Sequence, residues 1–147
     1  MSIKDRISND LKDAMRARDK QQLETLRLIT AAIKQVEVDE RIDVDDARLL
    51  VILDKLAKQR KESISQFTSA GRTDLVAQEE YELGIIGKYL PEPLSDEEVM
   101  TLVTQAIAEL DAEKMSDMGK VMAHLKPMLQ GRADMSQVSA IIKAKLS

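Results

Sequence analysis

The chain has 147 residues, 44% hydrophobic and 33% charged, with a formal net charge of −4, a balance that excludes wholesale disorder and argues against a generally cationic nucleic-acid binder. Only 2% of residues are aromatic (two Tyr, one Phe, no Trp) among abundant strong helix formers, so an all-α fold is expected. The absence of Cys excludes disulfides, thiolate nucleophiles and Cys-ligated metal.

The first predicted helix opens at Ser2, with Asp5 three residues on and Ile3, Ile7, Leu11, Ala14 and Met15 along one face. After a polar RARDK break, Leu23, Leu26, Ile29, Ile33 and Val36 form a second stripe. Asp43 is the expected cap of a long third helix that carries Leu49, Leu50, Leu53, Leu56, Ile64 and Phe67 inward and stops at Gly71. A fourth runs from about Thr73 to Leu90, and its interior Gly84 and Gly87 predict a bend or a close approach. Pro91 and Pro93 then break the register. This places an amino-terminal domain of about four helices at residues 1–92 and a small three-helix domain at 93–147. In the latter, Ser95 and Glu98 make a capping box for the fifth helix, the sixth covers roughly Met118–Leu129 and the seventh Met135–Leu146. Pro127 predicts a kink at Leu125 or a looser end near Leu129, and the QGRAD turn supplies Gly131 for a left-handed residue and Asp134 for a cap.

Charge is segregated along the chain. Residues 1–34 and 115–147 each sum to +3, whereas 37–46 sum to −5 and 94–113 to −6. The lone His124 lacks the companion ligands of a zinc site, and no nucleophile has a plausible base, so no catalytic, cofactor or metal residues are expected. Glu79, Glu80 and Glu82 read as the solvated side of an amphipathic helix. Lys55, Lys58, Arg60 and Lys61 read either as a solvated face with internal Lys–Glu pairs or as a contact for RNA phosphate or an acidic partner. Lys120, Lys126, Arg132, Lys143 and Lys145 could surround the turn at Gly131, a further candidate phosphate contact. The start MSIKDRISNDLKDAMRAR has no secretory signal pattern, and no run reaches the ~18 apolar residues of a membrane span. A cytoplasmic location with no membrane partner is therefore expected.

Taken together, KQRKESISQFTSAGRTDL, EEYELGIIGKYLPEPLSDEEV and DMGKVMAHLKPMLQGRADMSQV resemble the GatB/YqeY family over nearly the whole chain. That resemblance implies a small helical domain related to the tail of the GatB subunit of tRNA-dependent amidotransferases, without the catalytic body. It implies a non-catalytic, tRNA-binding or tRNA-enzyme-associated adaptor, with an aminoacyl-tRNA synthetase or amidotransferase as possible partner. Lys120 and Arg132, inside the matching segments, become the leading RNA contacts, and Lys126, Lys143, Lys58 and Arg60 the supporting ones. The expected protein is a monomer without DNA partner or cofactor. With nearly no rings to stack bases, it would read tRNA by backbone and shape. The alternatives are a protein–protein adaptor using the acidic middle and the third helix, and a weak amidotransferase-linked enzyme.

Overall fold

The computed structural model describes residues 1–129 and 131–147; Gln130, with its share of the QGRAD turn, lies outside them. The fold is all-α, with no strand among the described residues. Two compact units divide between Leu90 and Pro91.

The first unit holds α1 (Ile3–Ala17), α2 (Lys20–Glu40), α3 (Asp46–Ser69) and α4 (Thr73–Gly87). Each of the first three starts where a short polar side chain takes an otherwise orphaned backbone N–H. Ser2 accepts from Asp5 at 3.1 Å, Asp19 from Gln22 at 3.2 Å and Asp45 from Arg48 at 2.9 Å. The cap of α3 is thus Asp45 rather than Asp43, which instead receives the Lys4 ammonium at 2.8 Å. Arg18 and Arg41 end α1 and α2 in the left-handed region, at φ 56° and 54°, and Gly71 takes φ 71° after α3.

Ile7 and Ala14 of α1, Leu26, Ile29 and Ile33 of α2, Leu49, Leu53 and Ala57 of α3, and Ile85 and Ile86 of α4 fill this core. Each large aliphatic buried there contributes roughly 1.5–3 kcal/mol. Met15, expected inward, is 52% exposed, because one step along a helix turns the side chain away from Ala14. The glycines of α4 do not mark a close approach, since a Cβ added to Gly84 or Gly87 would meet nothing within 4 Å.

The second unit holds α5 (Asp96–Glu109), a 3-10 turn (Met115–Asp117), α6 (Met118–Leu129) and α7 (Met135–Leu146). Both arms of the capping box form: Ser95 Oγ accepts the Glu98 N–H at 3.1 Å and Glu98 Oε1 accepts the Ser95 N–H at 3.2 Å. Val99, Val103, Val121, Leu125, Leu129, Val138 and Ile142 build a separate core. α6 runs through Pro127, which forfeits one ladder bond without ending the helix at Leu125. Gly131 takes φ 78°, and Asp134 accepts the Ser136 N–H at 2.9 Å.

Arg132 explains why the units part at 90/91, two residues before the expected 92/93. Its carbonyl accepts the Leu94 N–H at 2.8 Å and its Nε donates to the Glu92 carbonyl at 3.3 Å, tying residues 92–94 to the α6–α7 turn. Tyr89 and Leu90 pack into the first core instead.

Candidate functional site

The buried residues of α6 (Val121, Leu125, Leu129) and of α7 (Val138, Ile142, Leu146) recur every fourth position. This leaves Lys120, Lys126, Lys143 and Lys145 exposed, and none joins an ion pair among the described residues. Neither helix contains a carboxylate. Asp117, just ahead of α6, has its pKa held down chiefly by the Glu113 and Lys114 N–H groups it accepts, with Lys114 and Lys120 adding attraction. The lysines do not form one strip, because positions two apart, such as Lys143 and Lys145, point roughly 200° apart on a helix.

The other predicted contacts have work inside the fold. Arg132 is half-buried and binds Glu92, as above. Lys58 sits 3.6 Å from Asp54, one turn back on its own helix. Arg60, with its side chain only 17% exposed, donates Nε to Glu82 at 3.1 Å and lies 3.7 Å from Glu79. Gln78 donates to the second oxygen of Glu82 at 3.3 Å, and Gln21 to Gln78 at 3.4 Å, so polar contacts run across α3, α4 and α2. Glu82 is therefore a buried, partnered anion rather than part of a solvated face.

The acidic run 37–46 is also occupied. Lys4 reaches Glu37 at 2.5 Å and Asp43 at 2.8 Å, Arg48 reaches Glu40 at 2.5 Å, and Gln35 donates to Asp39 at 2.9 Å. Backbone N–H groups of Val44, Arg48 and Ile3 go to Glu37, Asp45 and Asp46 at 3.0, 2.9 and 3.0 Å. The bond to Asp43 raises the pKa of Lys4, and the same bond lowers that of Asp43. At the end of α4, buried Tyr89 donates its hydroxyl to Asp10 beneath the Arg6 guanidinium, 5.5 Å from the ring centre. Burial first, then Asp10, pushes the phenol pKa up. These contacts fasten α1 to α2, to the α2–α3 loop and to the end of α4.

His124 is exposed, with Nε2 3.4 Å from Glu109. Among the described residues no three His, Asp or Glu side chains converge as a metal would require, and no helix is long and apolar enough to cross a membrane. The second unit contains no Phe, Tyr or Trp.

Residues 4–146 match the YqeY-like protein family, so the chain belongs to it. It is similar to Altered inheritance of mitochondria protein 41 from Pyrenophora tritici-repentis, 33% identical over 130 residues, covering 87% of this chain and 71% of that one. The same-named protein of Lachancea thermotolerans is 37% identical over 126 residues, covering 84% of this chain and 62% of that one. That of Saccharomyces cerevisiae is 39% identical over 93 residues, covering 62% and 50%. The chain thus spans about half to seven tenths of these relatives' length. All three are named as mitochondrial proteins, which corrects the cytoplasmic expectation. The cytoplasmic expectation rested on the lack of a secretory pattern and of a membrane-length apolar run, and neither feature distinguishes one compartment from another.

Proposed function

We propose that this YqeY-family protein is a non-catalytic, tRNA-binding adaptor whose second unit is related to the tail of the GatB amidotransferase subunit. The observation that carries the reading is the pair of carboxylate-free helices α6 and α7 with four exposed lysines that join no ion pair among the described residues. Such cations bind phosphate with little regard to sequence, and a unit without aromatic rings has no platform for splayed bases. Arg132 serves this surface indirectly, by holding the α6–α7 turn. The relatives' names point to a mitochondrial setting for the work.

The test is anisotropy titration of folded tRNAs across a salt series. Replacing Lys120, Lys126, Lys143 and Lys145 by Ala should weaken binding to different tRNAs about equally. Each lost phosphate contact should remove roughly 0.7–0.9 from the slope of log affinity against log salt. Lys58→Ala is the control and should change little. Absence of tRNA binding even at low ionic strength would refute the reading.

A further inference from the structure

The outward face of α2 repeats every seven residues. Lys20, Arg27, Lys34 and, at the C-cap, Arg41 form one row; all four are exposed and none joins an ion pair among the described residues. Beside that row run Leu28, Ala31, Gln35 and Val38, spaced alternately by three and four residues, with Ile42 continuing the spacing past the helix end. Leu28, Val38 and Ile42 are 48%, 64% and 41% exposed. The core residues Leu26, Ile29 and Ile33 lie on the other side of the helix, since Ile29 and Ala31 point roughly 200° apart. Alternate three- and four-residue spacing is the seam of a two-helix coil, and charge selects the partner from the positions just before every second seam residue and just after the ones between. Here the residue before every second seam position is basic: Arg27 before Leu28, Lys34 before Gln35 and Arg41 before Ile42. Asp39, beside the seam, is engaged by Gln35, and Glu24, one turn before Leu28, lies on the seam line itself and ends its apolar stretch there.

We propose that this face docks an amphipathic helix of another protein whose flanking positions are acidic. Charge decides the occupant. A second copy paired antiparallel would set the basic rows against each other, and a parallel copy would offer Thr25, Ala32 and Asp39, with one carboxylate among them. An acidic helix instead matches Lys20, Arg27 and Lys34 at successive heptads, over about 21 Å of helix. The inference does not depend on tRNA binding, which concerns the other unit.

The test uses the full chain and two synthetic helical peptides of about four heptads, with Leu along the seam and either Glu or Lys at the flanking positions. Anisotropy should show the Glu peptide binding about tenfold or more tighter than the Lys peptide, with the difference shrinking as salt rises. Arg27→Glu with Lys34→Glu should invert the preference, and Leu28→Glu with Val38→Glu should abolish binding of both. Far-UV ellipticity should be unchanged in each variant, because these side chains are exposed. Equal affinity for the two peptides, no binding of either, or an unchanged preference in the charge-reversed variant would overturn the proposal. So would sedimentation showing a dimer that Leu28→Glu with Val38→Glu dissolves, which would seat a second copy there. Loss of tRNA binding in Arg27→Glu with Lys34→Glu, without any peptide binding, would assign the row to RNA instead.

Discussion

The acidic run at 37–46 and the basic helices α6 and α7 both stand out in the sequence, yet the fold uses them in opposite ways. Every carboxylate of the acidic run accepts a hydrogen bond from Lys4, Arg48, Gln35 or a backbone N–H. The lysines of α6 and α7 join no ion pair among the described residues. Formal charge therefore does not measure what a partner can reach. A charge already matched inside the fold contributes stability, whereas an unmatched, hydrated one is available for binding.

This contrast is open to measurement, and the largest effect is expected at Arg60. Arg60→Ala leaves Glu82 and Glu79 facing each other, mostly buried, and should cost about 2–3 kcal/mol in urea unfolding. Lys143→Ala should stay within about 0.5 kcal/mol of wild type. A loss at Lys143 comparable to that at Arg60 would erase the distinction. Glu37→Gln comes next: it weakens the acceptor shared by Lys4 and the Val44 N–H and should cost about 1–2 kcal/mol. Gly84→Ala involves no charge and serves as a reference for packing. With open space at its Cβ it should stabilise α4 by up to about 1 kcal/mol; destabilisation would reveal a backbone constraint.

A further effect depends on pH. Because the folded state raises the phenol pKa of Tyr89 above its ordinary value of 10.0, its contribution is complete below that pH and should decline as pH rises beyond it. Tyr89→Phe should remove that alkaline decline while lowering stability at neutral pH, since Asp10 loses its donor. An unaltered alkaline limb in the variant would show that other groups control it.

What could be read from the sequence was local. Ser2, Ser95 and Asp134 each bond a backbone N–H two or three residues on, so composition and spacing within one turn suffice to place them. The choice between Asp43 and Asp45 was not local. Several Asp residues crowd the start of α3, and Asp43 is drawn away by Lys4, which is distant in the chain. Arg60 was illegible for a similar reason, because its partner Glu82 lies 22 residues on and a basic run looks solvated until α4 folds back over it. The basic row of α2 has a regular period and could have been found. It was masked by the stronger core stripe of Leu26, Ile29 and Ile33 on the same helix.

All the aromatic residues, Phe67, Tyr81 and Tyr89, lie in the first unit. The two units are thereby spectroscopically distinct without any label. Tyrosine fluorescence and near-ultraviolet dichroism sense only the first, while far-ultraviolet dichroism sums the helices of both. A denaturation followed by both signals should give superimposable curves if the units melt together. If the second unit melts on its own, a helical transition should appear to which the tyrosines are blind.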